Sequence, residues 1–368
     1  MKIVFDHQCF LFTNYGGVSR YYNSIIEELI KLNQDTYVIA PLHQNKQLKL
    51  LPKNNVIGRE INPLLLKPFR VSRVINDLLS HIMLSSDVDI IHETYFLPKT
   101  IISPSKVRIV TIHDMIHEKF PQYFPKNDPS TINKLKAIER ADHIICVSNN
   151  TKKDLCNFFN ISSEKVSVVY HGTKNLYNFD FKKNYRSDRP FLLHVGGRNL
   201  YKNFTQTLRA VATSPILRKT FDIVAFGSSN FSKEEKLLID KLNFSEGSVK
   251  HIRGNDNILT DLYQQATALI YPSLYEGFGL PILEAMQHGC PVVCSNSSSM
   301  PEVGGDAAQY FNPNCTEDLS EAIEKVVFNE DRKKQLIFNG YARAKIFSWQ
   351  RSAKETLNVY NNLLKKLP

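Results

Sequence analysis

Two glutamates, Glu276 and Glu284, bracket a turn in Tyr275-Glu276-Gly277-Phe278-Gly279-Leu280-Pro281-Ile282-Leu283-Glu284-Ala285-Met286. A carboxylate accepts hydrogen bonds from two neighbouring hydroxyls, so either residue suits a diol. Between them, Pro281 fits the first turn of a helix. Backbone N–H groups at such a helix start hold phosphate, and glycines let the phosphate approach closely. Phosphate between two polyols is the outline of a nucleotide sugar.

A second cluster is His194-Val195-Gly196-Gly197-Arg198-Asn199-Leu200-Tyr201-Lys202-Asn203. Here a strand runs into Gly-Gly, and two cations follow before a helix. Arg198 offers a planar fork and Lys202 a point charge, both suited to phosphate. The spacing does not fit G-x-G-x-x-G, which argues against a dinucleotide dehydrogenase. Two weaker signals lie upstream. Gly16 and Gly17 form a turn between the first strand and a helix, where glycine can simply allow a tight turn. The strand Ile109-Val110-Thr111-Ile112 delivers His113 and Asp114 at its carboxyl end. Two patterns are set aside. Asp87-Val88-Asp89 has metal-binding spacing but precedes an apolar run and reads as a helix-to-strand turn. Ser299-Met300-Pro301-Glu302 has capping-box spacing, so Glu302 is expected to cap a helix rather than catalyse.

The elements that position these residues follow from periodicity. Strand-like runs fall near residues 2–6, 36–40, 88–92, 107–112, 143–147 and 166–170, and again near 191–195, 221–226, 249–252, 267–271 and 291–294. Helical periods separate them, which predicts α/β layers with parallel sheets. One helix starts after Gly17, with Val18, Tyr22, Ile25, Ile26 and Leu29 on one face. Another, near residues 71–84, gathers Val71, Val74, Ile75, Leu78, Leu79 and Ile82. A core-packing helix is the favoured reading of that face, ahead of a membrane-surface helix. Residues 174–189 are polar and aperiodic and read as a linker. The expected organisation is a first domain over 1–173, a second over 190–345, and a C-terminal helix over 346–368 returning to the first. Two similar α/β domains would face a cleft, with ligands at the carboxyl ends of strands.

The chain has 368 residues, enough for two domains, with 42% hydrophobic content. Met1-Lys2-Ile3-Val4-Phe5 reads as a strand rather than a signal peptide, and no apolar run reaches membrane-span length, so a cytoplasmic protein is expected. The six cysteines show no C-x-x-C pair and read as reduced thiols. The net charge of +10, from 46 basic and 36 acidic residues, fits anionic ligands first and an anionic membrane surface second. No nucleic-acid motif accompanies it.

Together these residues resemble the GT-B-fold retaining glycosyltransferases of family 4 over nearly the whole chain. Glu276 to Glu284 is the most specific part, followed by the Gly289–Val293 turn and Pro301-Glu302-Val303-Gly304-Gly305-Asp306-Ala307-Ala308. Gly16-Gly17, Thr111-Ile112-His113-Asp114, Ala141-Asp142 through Val147-Ser148, Arg198 with Lys202-Asn203, and Phe347-Ser348-Trp349 also match. The Gly-Gly-Arg-Asn-x-x-Lys-Asn-Phe version is similar to a mannosyltransferase-like subgroup that builds bacterial surface polysaccharides. There are two departures: Arg198 and Lys202 stand one residue closer than in many relatives, and His171 occupies a position where asparagine is common.

The resemblance implies that Arg198 and Lys202 hold the donor diphosphate, Glu284 the ribose and Glu276 the transferred sugar. Phe278, Gly279 and Leu280 would offer backbone N–H groups to phosphate, and the base would lie near Arg253 and Gly254. His113 would contact the donor sugar, and Gly16 and Gly17 would line its phosphate. No metal is implied. The expected activity is transfer of a hexose, from GDP-mannose or next a UDP-sugar, to a glycan or lipid-linked glycan in surface polysaccharide or lipopolysaccharide synthesis. The acceptor would be set by residues 41–70 and 115–130. A lipid-linked acceptor would bring the protein to the inner membrane face. The alternatives are a nucleotide-sugar 2-epimerase and a non-catalytic nucleotide-sugar binding protein.

Overall fold

A computed structural model describes residues 1–84, 87–98, 105–173, 186–198, 200–227 and 229–367. The chain divides into two compact units, Met1–Gly172 with Trp349–Pro368, and Thr173–Ser348. The stretch read as a linker lies outside the described residues up to position 185.

The first unit holds seven strands: β1 (Lys2–Phe5), β2 (Asp35–His43), β3 (Val56–Glu60), β4 (Ile90–Glu93), β5 (Val107–Ile112), β6 (His143–Cys146) and β7 (Val166–Val168). They form one parallel sheet in the order β3-β2-β1-β4-β5-β6-β7. Its helices are α1 (Gln8–Phe12), α2 (Gly17–Lys31), α3 (Phe69–Met83), α4 (Ile116–Lys119), α5 (Ser130–Arg140) and α6 (Asn149–Phe159). Central strands are covered on both faces, which is why they read as unbroken apolar runs. Residues 56–60, which carry no strand-like apolar run, form edge strand β3. Its charged, glycine-containing Val56-Ile57-Gly58-Arg59-Glu60 lacks the apolar run of a central strand, as edge strands often do.

The second unit holds β8 (Phe191–Val195), β9 (Asp222–Phe226), β10 (Val249–Ile252), β11 (Ala268–Tyr271), β12 (Val292–Ser295) and β13 (Ala308–Phe311). These too are parallel, in the order β10-β9-β8-β11-β12-β13. Around them lie α7 (Phe204–Thr213), α8 (Pro215–Thr220), α9 (Lys233–Lys241), α10 (Asp256–Gln265), α11 (Leu280–Gln287), α12 (Met300–Gly304), α13 (Thr316–Val327) and α14 (Glu330–Ile346). The chain then returns as α15 (Trp349–Leu364), which packs on α2 in the first unit through Trp349, Ala353 and Tyr360. This pair of doubly wound parallel sheets is the GT-B architecture.

Helix α2 buries Tyr22, Ile25, Ile26 and Leu29, as its period predicts. Helix α3 does the reverse. Ser72, Asn76, Asp77 and Ser80 face inward, while Val71, Val74, Ile75, Leu78 and Ile82 face solvent. The core-packing reading of this helix is therefore overturned. Its polar face is the one with partners: Asn76 Oδ1 accepts from the Leu42 amide (2.8 Å), and Ser72 Oγ donates to the Leu66 carbonyl (2.6 Å). All six cysteines are unbridged. Among the described residues no helix is long and apolar enough to cross a membrane.

Candidate active site

In the second unit the sheet order reverses between β8 and β11, so the crossovers leave to opposite sides and their carboxyl ends open a crevice. The loop after β8 carries Arg198 and Lys202, and the loop after β11 carries Glu276. The Leu274 amide donates to the Tyr201 carbonyl (2.7 Å), which ties the two loops together.

Lys202 and Glu276 meet there. The ammonium donates to both carboxylate oxygens, at 2.7 and 2.8 Å, and Ser273 Oγ donates to Oε1 at 2.6 Å. Two more serines fix the Glu276 backbone, and a third holds that of Ser273. Ser298 Oγ accepts from the Glu276 amide (2.9 Å) and donates to its carbonyl (2.5 Å). Ser299 Oγ lies within reach of the Glu276 and Phe278 carbonyls (2.9 and 2.7 Å), and Ser295 Oγ donates to the Ser273 carbonyl (2.6 Å). The capping-box reading of Ser299 and Glu302 is thus corrected. The Ser299 hydroxyl makes no cap bond, because it is turned onto the Glu276 loop. The run Ser295-Asn296-Ser297-Ser298-Ser299 was the available signal, since serines after a strand often bind nearby backbone.

Downstream, Gly279 precedes α11 with φ of +107°, a conformation that favours glycine, and Pro281 sits in the first turn. Phe278 is buried edge-on against Phe347, with ring centroids 5.8 Å apart. Glu284 lies one turn into α11, where Tyr263 donates to its Oε2 (3.0 Å). That bond fixes one carboxylate oxygen in direction. Beyond β10, Arg253 and Gly254 are exposed. A Cβ at Gly254 would meet Ile258 Cδ1 at 2.5 Å, so a side chain there would have to push Ile258 aside.

Arg198 has different partners from those expected of a phosphate ligand. Its guanidinium is buried over the Phe231 ring (4.8 Å) and bonds Glu235 Oε1 (2.8 Å) and the Ser229 and Asn230 carbonyls (2.7 and 3.1 Å). Glu235 is itself held by a capping box with Ser232 at the start of α9. The Arg198 fork is thus engaged by the protein.

In the first unit, His113 follows β5. Its ring packs edge-on against Tyr21 and Tyr22, at centroid distances of 5.0 and 5.8 Å, and its buried Nε2 has no hydrogen-bond partner among the described residues. Burial pushes its pKa down to about 4, so the imidazole is neutral at pH 7. Asp114 shapes the turn by accepting from the Ile116 amide (3.1 Å). Gly16 caps α2 in extended backbone (φ −171°), and Gly17 opens the helix. A Cβ at Gly17 would meet nothing within 4 Å, and one at Gly16 only ordinary contacts from 3.7 Å. Neither conformation nor packing of the protein requires glycine at these two positions.

Asp89 of the Asp87-Val88-Asp89 pattern accepts from the Lys2 amide (2.8 Å) and Lys106 Nζ (2.7 Å), a strand-anchoring role. Among the described residues no group of three or more His, Cys, Asp or Glu side chains could hold a metal ion.

Residues 15–174 match the family described as Glycosyltransferase Family 4, and residues 177–343 match Glycosyl transferases group 1. The chain belongs to the family 4 glycosyltransferases. This glycosyltransferase is 29% identical to O-antigen chain mannosyltransferase B of Escherichia coli, over 69% of this chain and 70% of that protein. It is 28% identical to the serotype-specific mannosyltransferase WbdA of Escherichia coli, over 63% of this chain but only 30% of that longer protein. Among solved structures it is similar in fold to the sucrose-phosphate synthase of Thermosynechococcus elongatus, with a TM-score of 0.78, 18% identity and full coverage of both chains.

Proposed function

We propose that this glycosyltransferase moves a hexose, mannose foremost, from a nucleoside diphosphate sugar to a glycan or lipid-linked glycan of a surface polysaccharide, with retained configuration. The Lys202–Glu276 pair at the switch point, beside the start of α11, carries this reading. Breaking the glycosyl–phosphate bond leaves positive character on the sugar carbon and negative charge on the diphosphate. Lys202 and the Phe278, Gly279 and Leu280 amides at the start of α11 stabilise that charge. Glu284, with one oxygen oriented by Tyr263, takes the ribose diol, and the base lies over Arg253 and Gly254. Glu276 takes hydroxyls of the transferred sugar. Arg198 acts indirectly in this reading, holding the turn that aims Lys202.

His113 in the first unit is a neutral imidazole, available to hydrogen-bond a sugar hydroxyl. Gly16 and Gly17, which the protein itself does not require to be glycine, leave room for a phosphate against α2. The acceptor hydroxyl attacks the carbon from the face that the phosphate leaves, and its proton passes to the departing phosphate. No enzymic nucleophile takes part. The mannosyltransferase names of the relatives favour GDP-mannose as donor, with UDP-sugars next.

Thermal shift with GDP, UDP and dTDP, followed by donor turnover with the nucleotide that binds, tests the reading. A single preferred nucleotide is expected, with its stabilisation lost in Glu284→Ala. Undiminished turnover by a folded Glu284→Ala would sink the proposal. Release of epimerised sugar nucleotide without an acceptor would replace it with an epimerase.

A further inference from the structure

Helix α3 is inside out relative to its sequence pattern. Val71, Val74, Ile75, Leu78 and Ile82 fall at spacings that place them on one stripe about 100° wide. The structure leaves that stripe in solvent, with Val74 and Leu78 each 54% exposed and Ile82 69%. Just before the helix, Leu64 and Leu65 are 73% and 75% exposed. Large apolar residues exposed singly need no explanation, but a continuous face of this kind marks an interaction surface.

The orientation is fixed from behind. Ser72, Asn76, Asp77 and Ser80 are buried, and Asn76 alone bonds the Leu42 amide and the Ser72 carbonyl. Rotating the apolar stripe inward would break these bonds and strand the polar groups, at a cost for each buried unsatisfied group. The charges are one-sided. Residues 61–84 contain Lys67, Arg70 and Arg73, and one acid, Asp77, which is buried facing His7 (3.6 Å). Lys67 and Arg70 are exposed beside the stripe, and no exposed carboxylate accompanies them in this segment.

We propose that α3, with the preceding Leu64–Arg70 segment, is the face by which the protein rests on an anionic lipid surface. The helix lies in the headgroup plane, with its stripe of Val, Ile and Leu among the upper acyl chains. Lys67 and Arg70 lie against lipid phosphates, as in interfacial amphipathic helices with basic flanks. The charge pattern selects this occupant over a second copy of the chain. The exposed charges of the face are all positive, as is the chain's net charge of +10, and a polyanionic surface answers both.

Co-sedimentation of the full chain with phosphatidylcholine vesicles, with and without phosphatidylglycerol, tests this. Binding is expected only with phosphatidylglycerol and should weaken as salt rises. The double variant Leu78→Glu/Ile82→Glu changes only exposed positions, so its melting temperature should match the parent while vesicle binding falls more than about tenfold. Lys67→Gln/Arg70→Gln keeps the stripe and should lose roughly tenfold to thirtyfold, at about 1 kcal/mol per cation near the surface. Equal binding to both vesicle types would overturn the proposal, as would binding that survives both double variants. So would a concentration-dependent dimer, dispersed by Leu78→Glu/Ile82→Glu, with no vesicle binding.

Discussion

Arg198 and Lys202 leave one loop and reach different glutamates. Arg198 reaches Glu235 at 2.8 Å, in a shell of phenylalanine rings and backbone carbonyls that leaves its side chain 4% exposed. Lys202 reaches Glu276 at 2.7 Å, with its side chain 19% exposed, at the carboxyl ends of the two central strands. Both are cations on a glycine-led loop, yet their surroundings differ, and with them the work we propose for each. A guanidinium enclosed by acceptors and aromatic faces acts as a structural rivet. An ammonium held by one carboxylate in a half-open crevice can exchange part of that contact for a phosphate.

The sharpest way to break this comparison is Lys202→Ala. A charged hydrogen bond contributes roughly 1.5–3 kcal/mol. At 1.4 kcal/mol per decade, turnover of the sugar donor should fall about tenfold to hundredfold, while the melting temperature falls less than in Arg198→Ala, because Ser273 still donates to Glu276. A steady-state assay alongside calorimetry separates the two. Unchanged turnover would reduce the Lys202–Glu276 pair to a structural contact like its neighbour.

Arg198→Ala should show the opposite balance. Removing one partner of a buried, hydrogen-bonded pair costs about 3 kcal/mol, because Glu235 and several carbonyls lose their donor. In a unit of this size that lowers the melting temperature by roughly 6–12 °C. Nucleotide affinity measured well below the melting range should change less than in Lys202→Ala. If Arg198→Ala stays as stable as the parent but loses diphosphate affinity, the fork does hold phosphate.

The same contrast shows which parts of the site were legible. Parallel strands buried on both faces announce themselves as apolar runs, so the sheets and the strand ends bearing His113, Arg198 and Glu276 could be placed from sequence. The Glu276–Glu284 spacing around Gly279 and Pro281 likewise implies a helix start. The partner of Arg198 could not be read, because Glu235 lies 37 residues away on another helix and nothing local marks the pairing. Helix α3 was misread for a related reason. Periodicity defines a stripe but not which stripe the fold binds, and α2 and α3 carry similar apolar stripes with opposite burial. The polar positions Ser72, Asn76 and Ser80, one turn apart, were the only local sign that the other face had partners.

The smallest effect expected lies on the Arg198 side of the loop and depends on pH. His194, at the end of β8, is buried against Phe204, bonds the Gly197 carbonyl through Nε2 (3.0 Å), and has a buried Nδ1 with no hydrogen-bond partner among the described residues. Burial pushes its pKa down to about 4, against the opposing effect of the Gly197 bond. The ordinary histidine value is near 6.5, so above that pH the ring is neutral whether the chain is folded or not, and its contribution is complete. Between about 6.5 and 4 the unfolded chain takes up a proton that the folded chain refuses, so stability falls as pH falls. One such group adds a slope of at most about 1.4 kcal/mol per pH unit. His92, His113 and His143 in the first unit, pushed down to about 3, 4 and 4 chiefly by burial, add slopes of the same sign. His194→Gln removes one contributor near the Arg198 turn and leaves the others in place. Melting temperatures recorded from pH 7 to pH 4.5 should therefore fall less steeply in His194→Gln than in the parent. An unchanged slope in His194→Gln would mean that the ring is protonated in the fold at mild acidity, and that the Gly196–Gly197 turn tolerates a charge that its surroundings in this structure do not balance.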